Sequence, residues 1–296
     1  MTDLTASALP SGDALKSRLP QRVSSVRAAL TAPTVAAAFV LGLIVLIAIA
    51  PGWFTDYAPT ATDVHHALLR PGGAHWFGTD QLGRDVFARV LYGTRPALLL
   101  GFAATLLAVV AGTVVGLLAA LGGGFADQAL MRATDVLLAL PPLLLALLVI
   151  AALGAGTTNI AVAVAIAFIP LYARLVRSEA LAIRHSGYVE AATMLGLPRV
   201  TVIARHIVPN ALGSLLVMAP LGFGTALLYS SALSFLGLGI QPPQPEWGSM
   251  LSEGKDILAA AWWVGVFPGA AVTGTVIAVN VLGRTVRVRL TGRGAL

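Results

Sequence analysis

Three histidines, His65, His66 and His75, are the first side chains whose type and spacing suggest chemistry, because imidazole nitrogens bind metal ions. Adjacent histidines point in different directions on a helix or a strand, and no carboxylate cluster stands near them at ligand spacing. The chain has no cysteine, which excludes disulfides and thiolate metal sites. We therefore expect plain polar residues here, and no metal or other cofactor bound by this chain.

The residues that flank the two lysines exclude nucleotide hydrolysis by a P-loop. The P-loop signature requires a lysine between a glycine and a serine or threonine. Lys16 follows Leu15 and Lys255 precedes Asp256, so neither lysine fits. We predict that the chain is not an enzyme and that any work it does draws energy from a partner.

Residues 186–210 form the segment most suited to receive such a partner. Ser186 can cap a short helix, Gly196 can end it, and a second helix can start at Arg199. The exposed elbow between them would carry small residues that permit another backbone to approach, with one carboxylate for a charged contact: Ala191, Ala192, Gly196 and Glu190. An ordinary amphipathic loop would show the same pattern.

A second polar group precedes the long apolar part of the chain. Thr79 or Asp80 can cap an interfacial helix, and Asp85 and Arg89 are spaced as an i, i+4 ion pair. These charges either solvate that helix or contact a substrate, and both readings stay open.

The composition shows which solvent surrounds the helices that carry these groups. The chain has 296 residues, 57% hydrophobic and 11% charged, with a mean hydropathy of +0.85. A soluble domain carries roughly 25% charged residues, so a soluble globular protein is excluded and lipid is the outer solvent. Five charge-free runs are long enough to span a membrane: 28–55, 96–126, 136–173, 207–245 and 257–283.

Six spanning helices follow from these runs. The third run is roughly twice the length of one span of about 20 residues, so it must fold back, and the glycines at 154 and 156 mark the turn. Gly112 and Gly116 predict close packing of the second helix. Most of the 19 basic residues fall on the side of the two termini, so the net charge of +6 indicates cytoplasmic termini, and no nucleic-acid partner is expected.

The segment at Glu190 resembles the EAA signature of ABC importer permeases. Glu190-Ala191-Ala192, Gly196 and Pro209 match it in register. His206 and Val208 depart from the usual Ile and Leu, and Arg205-His206-Ile207-Val208-Pro209-Asn210 is similar to a variant in the peptide and nickel permease subfamily. The resemblance implies that this loop docks on an ATPase subunit, through residues that we assign to coupling: Glu190, Ala191, Ala192, Gly196, Arg205 and Pro209, with Pro209 ending the elbow before the fifth helix.

Two further blocks, at residues 75–95 and 233–248, resemble the same subfamily. They supply interfacial or gating candidates: Gly78, Thr79, Asp80, Gly83, Arg84, Asp85 and Trp247. The resemblance implies an all-α polytopic membrane protein with six transmembrane helices and the type I importer permease (MetI-like) architecture. Its divisions would be a cytoplasmic tail (1–30), a first helix (31–55), an outer segment (56–95), a five-helix core (96–283) with coupling loop 176–210, and a basic cytoplasmic tail (284–296).

The resemblance also implies function and partners. The chain would be a permease subunit in the bacterial cytoplasmic (inner) membrane, moving di- or oligopeptides; nickel or another small solute is the alternative. Partners would be membrane lipid, a homologous permease, an extracytoplasmic binding protein and two ATPase subunits that bind ATP and magnesium. An ion-coupled secondary transporter or channel is a rival that needs buried ionisable groups, and the six predicted spans lack them. A membrane scaffold is a rival that only the resemblance disfavours.

Overall fold

The computed structural model describes residues 32–291, which form helices and connecting loops, with one isolated bridge between Thr79 and Asp85. The helices are α1 (Ala32–Ile49), α2 (Val86–Leu121), α3 (Gly124–Leu138), α4 (Pro142–Leu153), α5 (Thr157–Arg184), α6 (Gly187–Met194), α7 (Arg199–Val202), α8 (Val208–Phe235), α9 (Trp247–Lys255) and α10 (Trp263–Thr291). A π-helical segment, Ile203–Ile207, joins α7 to α8. The predicted tail at 1–30 and the last five residues, 292–296, lie outside the described residues.

Five of the described helices are long and apolar enough to cross a membrane: α1, α2, α5, α8 and α10. Helices α3 and α4 pass the same test together, as a pair bent by 95° at its break that counts as a sixth crossing if it is one span. Two prolines, Pro141 and Pro142, explain the break, because neither offers a backbone N–H to continue the hydrogen-bond ladder of α3. The all-α class and the predicted six spans are confirmed, with the bent pair counted as one.

The start of that sixth crossing was predicted wrongly. The turn at Gly154 is confirmed, but the bent pair of helices before it begins at Gly124 of α3 and not near residue 136. The charge-free criterion missed α3 because Asp127 and Asp135 interrupt it, and these carboxylates form ion pairs with Arg177 and Arg174 of α5. Charges that are paired along one face of a helix do not end it.

Helix α2 is also longer than its charge-free run. It has 36 residues and begins at Val86, ahead of the predicted boundary at 95/96. At a rise of 1.5 Å per residue it is about 54 Å long, more than a hydrocarbon core of about 30 Å, so one end extends beyond the lipid. Helix α10 likewise continues to Thr291, so the basic segment predicted as a tail is helical up to that residue.

Helices α2 and α5 pack closely against each other in the described core. A Cβ atom added at Gly112 would lie 2.5 Å from Tyr172 Cβ, and one at Gly116 would lie 2.5 Å from the Ala173 carbonyl oxygen. Both distances are far below van der Waals contact, so only glycine allows the backbones to come this near. The predicted role of this glycine pair in helix packing is confirmed.

We predict that Gly112→Ala lowers the stability of the folded chain by about 1–3 kcal/mol, because the added methyl group overpacks the contact with Tyr172. Gly274→Ala is the matched control, since the same methyl group on α10 would meet nothing within 4 Å. The measurement is the thermal unfolding midpoint of both variants purified in one detergent. Equal midpoints would show that the α2–α5 contact tolerates a side chain.

Candidate functional site

The elbow segment (residues 187–207) comprises α6, α7 and the π-helical segment and lies at the C-terminal end of α2. Its apolar side chains Val189, Val202 and Ile207 are buried in one cluster with Ala120 of α2 and Ala180 of α5. This burial fixes the segment to two spanning helices. A force on the segment is therefore transmitted to them.

Two arginines attach the elbow region to the end of α2. Arg199 donates a hydrogen bond to the Leu121 carbonyl oxygen at 2.8 Å, and Arg184 donates one to the Ala120 carbonyl oxygen at 3.3 Å. The last four carbonyl groups of a helix have no partner within the helix, and cations are favoured near them. The guanidinium groups thus complete α2 and hold the start of α7 against it.

The outer surface of the elbow is exposed, as predicted. Glu190 and Ala191 are exposed, and Gly196 ends α6 with φ +78°, a left-handed conformation that favours glycine. One prediction was wrong: Ala192 is buried, because it lies three residues after the buried Val189 on the same face of α6. Ser186 occupies the predicted cap position, but its hydroxyl donates to the Ile183 carbonyl oxygen instead of capping α6.

Pro209 does not end the elbow, and that expectation was wrong. It lies in the first turn of α8, which continues without interruption from the π-helical segment containing Arg205. A proline inside an α-helix offers no N–H and clashes with the carbonyl group four residues earlier, here that of Arg205. Widening to π-helical turns relieves this crowding, so the chain passes Pro209 as one helical unit.

The elbow segment has the surface of a protein contact. A groove of about 520 Å³ lies between α6 and the π-helical segment. Beside it Met194 is 85% exposed and Leu195 is 83% exposed. Neighbouring large apolar side chains this exposed are typical of interaction sites, and methionine adapts to varied partners. Glu190 lines the groove and places a carboxylate next to these apolar side chains.

At the other end of α2, four charged side chains form the arginine cluster: Asp80, Arg84, Arg89 and Glu253. Arg84 Nε lies 2.6 Å from Asp80 Oδ2, and Arg84 Nη2 lies 2.7 Å from Glu253 Oε2. Arg89 Nη2 donates to the same Glu253 oxygen at 3.0 Å. Two cations and two anions balance, which allows Arg89 to be buried to 1% exposure.

The predicted pairing in this region was wrong in two respects. Among the described residues Arg89 pairs with Asp80 and Glu253, and not with Asp85. Asp85, and not Thr79 or Asp80, caps a helix: its carboxylate accepts the Ala88 N–H at 2.6 Å at the start of α2 and also bonds His75 Nδ1 at 2.8 Å.

Thr79, Gly78 and Gly83 shape the loop that presents Asp80 and Arg84. The Thr79 hydroxyl donates to the His66 carbonyl oxygen, and the Thr79 carbonyl oxygen accepts the indole N–H of Trp263. Gly78 and Gly83 have φ of +74° and +72°. These residues therefore fix the conformation of the loop. Within the described residues, no group of three or more histidine or acidic side chains could hold a metal ion.

Helix α9 closes this end of the molecule. Trp247 is buried, and its indole N–H donates to the Val90 carbonyl oxygen of α2 at 2.9 Å. Glu246 caps α9 by accepting the N–H groups of Gly248 and Ser249, while burial raises the pKa of its carboxyl group. Sequence reasoning assigned no role to Glu246 or Glu253. Glutamate is not among the preferred N-cap residues, so no local pattern marked Glu246, and Glu253 meets Arg89 only through the fold.

With both ends described, comparison with known proteins identifies the chain's family. Residues 112–293 match the model of the family described as binding-protein-dependent transport system inner membrane component. The chain belongs to this family. The match includes the elbow segment and α9 and leaves out α1, the loop at 78–85 and the first part of α2.

Curated relatives extend the similarity beyond the family model. The probable D,D-dipeptide transport system permease protein of Escherichia coli K12 is 41% identical over 254 residues, covering 86% of this chain and 85% of the relative. The dipeptide transport system permease protein of Alkalihalophilus pseudofirmus is 40% identical, covering 84% and 83%. The glutathione transport system permease protein of Pectobacterium atrosepticum is 42% identical, covering 83% of each.

Solved structures support the fold of this inner membrane component. An inward-facing structure of the MetNI methionine ABC transporter matches with a TM-score of 0.57 at 18% identity, over 68% of this chain and 96% of that one. An amino acid ABC transporter solved with histidines matches with a TM-score of 0.55 at 19% identity, over 68% and 94%. The predicted MetI-like architecture is confirmed.

We predict that Glu253→Gln lowers the stability of this inner membrane component by about 3 kcal/mol, because it leaves two buried arginines with one carboxylate. Asp256→Asn is the matched control, since it neutralises an exposed acidic residue just beyond α9. Thermal unfolding midpoints of the two purified variants measure the difference. A Glu253→Gln midpoint equal to that of the control would mean that the cluster does not hold α9 to α2.

Proposed function

We propose that the chain is the membrane-spanning permease subunit of an ATP-driven importer of di- or oligopeptides, with ATP hydrolysed by separate ATPase subunits. The observation that carries this proposal is the elbow segment. It combines a buried apolar face anchored on α2 and α5 with an exposed apolar surface beside a carboxylate. Such a segment can receive a partner on one side and move spanning helices on the other.

The connectivity of the segment supports this coupling role. Helix α6 follows the end of α5 after two residues, and α7 continues through the π-helical segment into α8. A partner that pulls on the elbow therefore acts on α5 and α8 without an intervening flexible loop. Docked ATPase subunits, which bind the ATP and magnesium, would tilt these two helices as they close.

Substrate and assembly are inferred from the relatives. The three relatives reported above carry names for transport of D,D-dipeptides, dipeptides and glutathione, so small peptides are the substrate class that we propose for this chain. The assembly would contain a homologous second permease, two ATPase subunits and an extracytoplasmic binding protein. The elbow segment and both termini would face the cytoplasm, and the arginine cluster would face outward.

Replacing Gly196 tests the coupling role. We predict that Gly196→Val reduces both retention of the ATPase subunits and ATP-driven uptake by about tenfold, since a β-branched residue at φ +78° strains the elbow. Gly196→Asn is the matched control, because asparagine tolerates a left-handed conformation. Pull-down of the ATPase subunits and uptake in vesicles measure both effects. If a variant that carries both Gly196→Val and Glu190→Gln still docks the ATPase subunits and takes up peptide fully, the elbow is excluded as the coupling site.

Reconstitution separates the proposal from an ion-coupled transporter. We expect uptake of a labelled dipeptide by liposomes that contain the complete complex, with ATP on the elbow side and binding protein on the other. The chain alone, under a proton or sodium gradient, should give no uptake. The control replaces dipeptide with nickel at equal concentration. Gradient-driven flux through the chain alone would overturn the ATP-driven mechanism, and uptake of nickel but not dipeptide would overturn the substrate class.

A further inference from the structure

An apolar groove of about 620 Å³ opens between α1 and the core of the bundle. Val45 and Ile49 of α1 form one wall, and Leu99 and Phe102 of α2 form the other. Arg95 is the one charged or polar side chain among the described residues that line it. The volume lies in the range of about 300–1,000 Å³ that is usual for small-molecule sites.

The groove has a polar end and an apolar length. Arg95, Leu98, Leu99 and Phe102 follow one face of α2, because residues three, four and seven positions apart lie on the same side of a helix. The groove also contacts Ile49, the last residue of α1, beyond which the chain leaves the helix. Arg95 is therefore near the membrane surface, and Phe102 lies about two turns deeper.

The Arg95 guanidinium is exposed and, in the part of the chain that the structure describes, has no hydrogen bond or ion pair with a protein group. Arg84 in the preceding loop and Arg89 in α2 both form ion pairs with carboxylates. A cation without a counterion at the mouth of an apolar groove is complementary to an anionic head group that carries acyl chains.

We propose that this groove binds an anionic phospholipid, with its phosphate on Arg95 and one acyl chain along Leu99 and Phe102. The uncompensated charge selects an anionic lipid over a zwitterionic one, and the apolar walls hold the acyl chain. The bound lipid would pack α1 against α2 and α8, which supplies Phe223 to the same groove. This site is separate from the elbow and does not depend on peptide transport.

The absence of cysteine permits a site-specific test, since Leu99→Cys introduces a single thiol for a bimane fluorophore. The labelled full chain is reconstituted in nanodiscs containing phosphatidylglycerol or phosphatidylethanolamine with brominated acyl chains, which quench bimane on contact. We expect about fivefold stronger quenching by brominated phosphatidylglycerol than by brominated phosphatidylethanolamine at equal mole fraction. One arginine near a membrane surface attracts an anionic head group to about this extent. Arg95→Gln should abolish this preference and Arg95→Lys should retain it.

Val114→Cys is the matched control, because it lies on α2, is exposed and does not line the groove. It should be quenched equally by both lipids in all variants, which also reports that each variant is inserted. Equal quenching at position 99, or a preference that survives Arg95→Gln, would overturn the proposal. The proposal would also be overturned if assembly with the second permease removed the quenching at position 99, since the groove would then be a protein interface.

Discussion

The close contact between α2 and α5 is the constraint on which the rest of the structure depends. Lipid offers no hydrophobic drive between apolar helices, so their association relies on packing. Gly112 and Gly116 let the two backbones approach until Tyr172 and Ala173 leave no room for a side chain. Since α2 carries the arginine cluster at one end and supports the elbow segment at the other, this contact sets the positions of both.

Charge pairing decides how the polar groups at each end are tolerated. Arg89 is almost fully buried because Glu253 and Asp80 surround it, and Glu246 is buried because two backbone N–H groups of α9 bond its carboxylate. Isolated, each charge would carry a desolvation penalty of several kcal/mol. The same rule explains Arg95, which has no counterion among the described residues and remains exposed at the mouth of the apolar groove.

Sequence reasoning found the elements whose signals are local. The fold-back at Gly154 and the end of α6 at Gly196 both depend on short stretches of chain, and the structure confirms them. It failed where distant groups meet. The predicted span began after Arg95, but α2 continues back to Val86 and includes both Arg95 and Arg89. The buried Arg89 is tolerated because Glu253, 164 positions away, pairs with it. Ala192 was placed on the exposed elbow, although the buried face of α6 is set by contacts with α2 and α5 that a local pattern does not contain.

The two ends differ in how readily they can rearrange, and this difference suits the proposed function. The ion pair of Arg174 with Asp135 is about half exposed, at 49% and 48%, and exposed pairs contribute only about 0–1 kcal/mol. Breaking the buried arginine cluster would cost about 3–5 kcal/mol. Helices α3 and α5 are held by the pair of Arg174 with Asp135 and by the part-buried pair of Arg177 with Asp127. Both pairs are more exposed than those of the arginine cluster, which fixes α9 to α2 at the opposite end. Under the proposed function, a pull on the elbow would then move the bundle more readily at the elbow end than at the arginine cluster.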